Sequence, residues 1–405
     1  MQSDKLVDGI YRVSAKIGEK DLFEGIWPIP NGVMLNSYVV EGKNKRALID
    51  MVKDWEGALS TIESQLKELN LTLKDFDYLV LNHMEPDHTG ALAAIKEKNR
   101  NIEIVCTQKA ADLVKAFYKI EDNITVVKSG SSIDLGGKTL VFEETPNIHW
   151  PETMVTYVPE DKILFSCDAF GSFGRYDKCF DDQLSEQEMA HLIEETYRYY
   201  ANIVSSFSLF VLRGIDKLKD LEIKMVAPSH GVVWRKNPET IINLYKDLAS
   251  YMNGPAEKKI TFIYSSMYGN TASLVPLIKE TLEDEGLEVL LHEVPQEHAS
   301  FVLSSAWRSS GLVFGMPTYE YKMFPPMYHI LDSLERSRLN NRKVMRFGSY
   351  GWSGGAQKQF EPFCSALKWD VKGFVEFQGS PNEEDRLKAV ALAKELAKSV
   401  KEWTN

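Results

Sequence analysis

The stretch Asn82-His83-Met84-Glu85-Pro86-Asp87-His88 places two imidazoles and two carboxylates within six positions, directly after the apolar run 76–81. Imidazole nitrogens and carboxylate oxygens are common ligands of zinc and non-haem iron, and a solvated loop has little use for so many at once. Three more β-like runs end in the same chemistry. Run 139–145 leads to His149, 163–167 to Asp168, and 225–229 to His230. Singly, a histidine after a strand is more often a satisfied surface residue, and an aspartate there is more often a turn residue or a helix cap. Four loops at the same ends of four strands are different, because a rigid scaffold can bring them together. Half of the eight histidines of the chain lie in these loops.

A second constellation follows the strand-like run 260–264. Ser265-Ser266-Met267-Tyr268-Gly269-Asn270-Thr271 leads into a helix. Hydroxyls, a glycine and backbone N–H groups at a helix start make an anion site. The loop lacks the lysine of a nucleoside-triphosphate loop, and no Gly-x-Gly-x-x-Gly is present to hold a dinucleotide. A monophosphate fits better. Two further loops, Gly315-Met316-Pro317-Thr318-Tyr319 and Ser349-Tyr350-Gly351-Trp352-Ser353-Gly354-Gly355, follow the third and fourth strands of this region. Doubly wound sheets bind ligands at such strand ends. Aromatics and glycines there suit a flat ring that backbone must approach closely. The three loops together point to FMN. The contacts expected are the six residues Ser266 to Thr271, then Pro317, Thr318, Tyr319, Ser349, Tyr350, Gly351, Trp352 and Gly354.

These sites need scaffolds, and 405 residues suffice for two or three domains. The composition is that of a globular protein, 44% hydrophobic and 26% charged, and the net charge of −11 disfavours nucleic acid as a partner. Residues 1–9 are polar, with no signal-peptide core, and no apolar run approaches membrane-spanning length, so a cytoplasmic location is expected. The four cysteines form no Cys-x-x-Cys pair, which excludes a zinc ribbon or a fused rubredoxin module. Cys106 and Cys167 read as small buried hydrophobes.

Up to residue 252, strand-like runs alternate with a few helices. Helices are expected over 57–69, over 91–98 (capped by Thr89 or Asp87), and over 109–118, 185–203, 208–219 and 237–252. Residues 253–257, Asn-Gly-Pro-Ala-Glu, read as a linker. From 258 to 405 the rhythm becomes strict βα alternation with five strands, the pattern of a doubly wound parallel sheet.

The pattern His83-x-Glu85-x-Asp87-His88, with His149, Asp168 and His230 downstream, resembles the metallo-β-lactamase superfamily, which usually has histidine at the second position. Glutamate there, with a flavodoxin-like region after it, resembles the flavodiiron family over essentially the whole chain. The resemblance implies an αββα sandwich (1–252) followed by a flavodoxin-like domain (258–405). It implies that His83, Glu85 and His149 bind one iron, that Asp87, His88 and His230 bind a second, and that Asp168 bridges them. The position of His88 is not always coordinated in the family. Tyr197, on the helix 185–203, would reach the pocket and give a proton or hydrogen bond to oxygen bound there. Trp150 would wall the pocket. Family members often have aspartate where this chain has Ser265.

The implied activity is reduction of dioxygen to water, of nitric oxide to nitrous oxide, or of both. Electrons would enter at FMN and pass to the two irons. The implied donor is a separate rubredoxin, with reduced deazaflavin as the lesser alternative. The implied assembly is a head-to-tail dimer, or a tetramer built from dimers. The competing reading is a metallohydrolase with a fused flavodoxin docking domain. Glu85 weighs against it, because carboxylates favour harder ions and higher oxidation states than zinc chemistry needs.

Overall fold

The computed structural model describes residues 2–18 and 20–404. The chain divides into two compact units: Met1–Tyr200 with Leu209–Lys246, and Ala201–Ser208 with Asp247–Asn405.

The first unit is built on two sheets. A seven-stranded sheet runs, in spatial order, Asp4–Val7, Ile10–Ile17, Val33–Glu41, Arg46–Ile49, Tyr78–Val80, Glu103–Cys106 and Ile124–Val126. Its last four strands pair in parallel. A five-stranded sheet runs Ser132–Asp134, Thr139–Glu144, Met154–Val158, Ile163–Cys167 and Met225–Pro228. Period-two alternation decides how the sheets meet. Tyr38, Val40, Ala47, Ile49 and Val80 from one sheet share a buried core with Leu140, Phe142, Met154, Ile163 and Phe165 from the other. The rings of Tyr38 and Phe165 lie 5.0 Å apart across it. Each such side chain contributes about 1.5–3 kcal/mol by burial. A one-residue slip would turn the whole set outward, so the register of the strand ends is fixed.

Several local features differ from the sequence expectation. Asp4–Val7 is an edge strand rather than a polar tail, and Ser132–Asp134 is another short edge strand. Both are partly polar, so neither shows as an apolar run. Neither Thr89 nor Asp87 caps the helix Leu92–Lys98, which starts after Ala91 with no side-chain cap. The Thr89 hydroxyl instead lies 3.1 Å from the Met84 carbonyl and 3.0 Å from that of Glu85, bracing the 82–88 loop. The helix expected over 185–203 is α-helical over Glu186–Tyr199 and becomes a π turn at Tyr200–Val204. Its start obeys sequence: Ser185 and Glu188 form a reciprocal capping box.

The second unit has a parallel sheet in the order Glu288–Glu293, Glu257–Tyr264, Ser309–Gly315, Lys343–Tyr350, Asp370–Gln378. The first strand in sequence therefore lies second, and the strand order reverses beside it. That reversal opens a crevice at the C-terminal strand ends. Ile260, Phe262, Val313, Met345 and Phe347 pack with Leu392 and Leu396 of the helix Glu383–Thr404. The strand opening at Glu257 begins inside the stretch read as a linker. A small hairpin, Thr318–Tyr319 with Lys322–Met323, is added after the third strand. Among the described residues, no helix is long and apolar enough to cross a membrane.

Candidate metal centre and flavin loops

The first unit brings all seven metal-ligand candidates together. Glu85 Oε2 lies 2.9 Å from His149 Nε2 and 3.4 Å from His83 Nε2. Asp168 Oδ2 completes this group, 3.3 Å from His83 Nε2 and 3.4 Å from His149 Nε2. The other oxygen of Asp168 belongs to a second group. Oδ1 is 3.1 Å from His88 Nε2 and 3.2 Å from His230 Nε2. Asp87 Oδ2 lies 3.2 Å from His230 Nε2 and 3.5 Å from His88 Nε2. One carboxylate thus divides its oxygens between two ligand groups, each of a size to hold one ion. His88 Nε2 faces its group as directly as the other imidazoles do.

Strand ends explain the convergence. The 82–88 loop leaves Tyr78–Val80, Asp168 follows Ile163–Cys167, and His230 follows Met225–Pro228, whose strand pairs in parallel with Ile163–Cys167. Cys167 takes a left-handed φ of 54°, turning the chain so that Asp168 enters the cluster. Asp50, also left-handed at 52°, accepts the backbone N–H of Asn82 at 2.8 Å and pins the start of the loop.

The electrostatics fit cations. Burial alone would discharge the histidines, but the carboxylates outweigh it. Against that burial, Asp168 and Glu85 push His149 up to about 10, and Asp168 and Asp87 push His230 up to about 9. Burial opposes ionisation of Asp168 too, yet His88, His149 and His230 hold it well below the usual carboxylate range. The buried atoms His83 Nε2, His230 Nε2, Asp168 Oδ2 and both Asp87 oxygens make no hydrogen bond. Buried polar atoms without partners are costly, and here all but Asp87 Oδ1 lie against other ligand atoms of the cluster. Two metal ions would satisfy every one of them.

Several supporting residues escaped the sequence reading. Tyr199 reaches the cluster: its hydroxyl donates to Asp168 Oδ1 at 3.0 Å and its ring packs 5.6 Å from that of His230. Burial and the negative charge of Asp168 keep that phenol protonated, its pKa well above the ordinary value. Tyr197 is two residues back, about 200° around the helix, and half-buried. Only the helix phase, which sequence leaves loose beside a π turn, separates the two. Glu152 accepts from His83 Nδ1 at 2.8 Å, and the Met34 carbonyl lies 2.8 Å from His230 Nδ1. A cavity of about 550 Å³ opens onto Glu85 and Asp87 and is walled by Phe23, Glu24 and Trp55. Desolvation and the charge of Glu85 push Glu24 up to about 7. Trp150 packs edge-on against His83 with ring centres 5.1 Å apart.

The flavin loops lie at the C-terminal strand ends of the second unit. Ser266 Oγ accepts the N–H groups of Gly269 at 3.1 Å and Ala272 at 3.3 Å, closing the first loop on itself. The loop enters a single 3-10 turn, Ala272–Leu274, before the helix Val275–Asp284. Thr271 ties it to the third loop, receiving the Ser349 N–H at 3.3 Å. Gly351 is held from below, its carbonyl accepting from Gln378 Nε2 at 2.8 Å. Gly348 is required where the second and third loops pass, since a Cβ there would stand 1.7 Å from the Met316 carbonyl oxygen. Tyr268, Tyr319 and Trp352 present rings to solvent, Trp352 at 72% and Tyr268 at 87% exposure. Isolated exposed aromatics are ordinary, but three around one crevice make a surface for a planar ligand. At the base of the first loop the Ser265 hydroxyl is buried without a hydrogen-bond partner.

Known proteins share both halves. The profile described as ODP family beta lactamase matches residues 33–231, and the flavodoxin profile matches residues 262–400. A protein named nitric oxide reductase from Moorella thermoacetica is 34% identical over 398 residues, 97% of each chain. The solved rubredoxin oxygen:oxidoreductase of the anaerobe Desulfovibrio gigas superposes with a TM-score of 0.92 at 28% identity, over 99% of both chains. The flavodiiron protein of Giardia intestinalis gives 0.92 at 27% identity, over 100% of this chain and 98% of that one.

Proposed function

The chain belongs to the flavodiiron family, and we infer that it reduces nitric oxide to nitrous oxide, dioxygen to water, or both. The observation that carries the reading is Asp168, which offers one oxygen to each of two ligand groups. In this reading His83, Glu85 and His149 hold one iron, Asp87, His88 and His230 hold the other, and Asp168 serves both. The loops at Ser266 to Thr271, Pro317 to Tyr319 and Ser349 to Gly354 hold FMN. When bound, the irons and the flavin supply the electrons, two from each cofactor, which matches the four-electron demand of dioxygen.

The chain's own residues do the rest. Three carboxylates among the seven ligands offset most of the charge on a ferrous pair, and they suit iron better than zinc. Both reductions consume protons. Tyr199 holds one at its hydroxyl, 3.0 Å from Asp168 Oδ1, on the metal-facing side of the helix. Glu24 lines the cavity together with Glu85 and Asp87, which places a carboxylate where protons would pass inward. Phe23, Tyr199 and Trp150 surround the ligands with apolar surface, which admits a small apolar gas and limits water.

One relative is named for rubredoxin, which supports a rubredoxin-type protein as the electron donor. A cytoplasmic location and a head-to-tail homodimer belong to the same reading. The test is anaerobic reduction through a rubredoxin system, followed by turnover with each gas. Consumption of nitric oxide or dioxygen, coupled to reoxidation of bound FMN, is expected. Failure to turn over either gas, or a zinc-loaded protein with hydrolase activity, contradicts the reading.

A further inference from the structure

Three of the imidazoles are held at their outer nitrogens by groups of very different strength. His83 Nδ1 meets the Glu152 carboxylate at 2.8 Å. His230 Nδ1 meets the neutral Met34 carbonyl at 2.8 Å. His88 Nδ1 meets only the Cys167 sulfur, at 3.9 Å. A charged acceptor makes the strongest of these bonds and a sulfur the weakest.

Glu152 is itself built into the core. Its side chain is buried, and its Oε1 also receives the Met84 N–H at 3.0 Å. Its backbone carbonyl accepts the Thr107 hydroxyl at 2.9 Å. Its second oxygen, Oε2, is buried with no hydrogen bond, so the protein bears the cost of a carboxylate that a neutral residue would avoid. That cost is borne where a negative charge fixes a ligand. With its N–H committed to Glu152 and its ring walled by Trp150, His83 presents only the Nε2 lone pair to Glu85 and Asp168. Acceptors of this kind orient metal-binding imidazoles and raise their donor strength.

We propose that Glu152 is a positioning residue that makes the two metal positions unequal, the one served by His83, Glu85 and His149 holding its ion more tightly than the one served by Asp87, His88 and His230. This rests on the reading of these residues as metal ligands. The asymmetry gives one tightly seated ion and one that exchanges ligands more readily, on either side of the shared Asp168.

The test is iron release from the full-length, diferrous protein to a ferrous chelator under anaerobic conditions, with the bound FMN spectrum followed in parallel. Release in two phases of one iron each is expected. Glu152→Gln keeps the size of the side chain and removes its charge. It should accelerate the slow phase about 10- to 100-fold and leave the fast phase unchanged. His83→Asn should abolish the slow phase, and His230→Asn the fast one. A merely structural role for Glu152 would speed both phases together or neither. Release of both irons in one phase, or a slow phase untouched by Glu152→Gln, overturns the proposal. If that variant does not fold, the unmodified protein still decides. Among the paramagnetically shifted imidazole N–H protons, that of His83 must exchange with deuterated water more slowly than those of His88 and His230, and exchange no slower than theirs overturns the proposal. A protein that takes up no iron pair would sink the functional reading instead, so the two failures are distinguishable.

Discussion

The two candidate cofactor sites solve opposite problems. The metal cluster is a buried set of charges: His83, His88, His149, His230 and Asp168 are each at most 5% exposed, and several of their polar atoms face one another without hydrogen bonds. The flavin loops are nearly the reverse. Apart from the buried Ser265 hydroxyl, the polar groups described in them are satisfied by backbone and side-chain contacts, while their rings stand in solvent. A buried array of like and unlike charges is incomplete without its ions. A set of closed loops is complete without its ligand and needs only surface. Loss of metal should therefore trouble the fold, whereas loss of flavin should trouble only activity.

The largest effect should follow Asp168→Ala. It removes the one residue common to both ligand groups, and iron content should fall to near zero with turnover reduced more than about 100-fold, while FMN stays bound. Retention of two irons would break the contrast. Metal removal comes next. In the metal-free protein, His149 and His230 are raised to about 10 and about 9 from the ordinary 6.5. Protons on raised groups stabilise the fold fully below pH 6.5, and that stabilisation is lost as pH rises through 9 and then 10. Thermal unfolding of the metal-free protein should show Tm falling over that window, and the iron-loaded protein should not share the decline. Flavin removal should give no such pH-dependent loss.

Smaller effects sharpen the comparison. Tyr199→Phe should lower turnover about tenfold or more with iron content intact, as expected for a lost proton donor or orienting hydroxyl. Trp352→Ala should weaken FMN binding by about tenfold, the worth of one aromatic contact, and leave iron unchanged. Tyr197→Phe should be the mildest, with turnover within about twofold of the parent. Exchanged phenotypes at 197 and 199 would mean that the helix turns the other tyrosine to the cluster.

How much of this was legible in the sequence depended on the kind of signal. The metal loops were visible because each follows an apolar strand and carries unusual chemistry, so the seven side chains could be named before their distances were known. The loops read as the flavin site stood out because strand-loop-helix order and glycine placement coincide there. Edge strands such as Asp4–Val7 were not visible, since one polar face and a short length leave no pattern. Tyr199 was not singled out beside Tyr197 because three tyrosines within four residues differ only in helical phase. Glu152 and Glu24 were missed because nothing in their local sequence marks them. Their roles arise from long-range packing, 69 residues separating Glu152 from His83.

The central claim is a pair of irons joined by Asp168, and metal analysis with Mössbauer spectroscopy of the purified protein tests it most directly. The account predicts two irons per chain, with spectra of two coupled, inequivalent sites, alongside one FMN. Zinc in the cluster, or a single uncoupled iron, would contradict it.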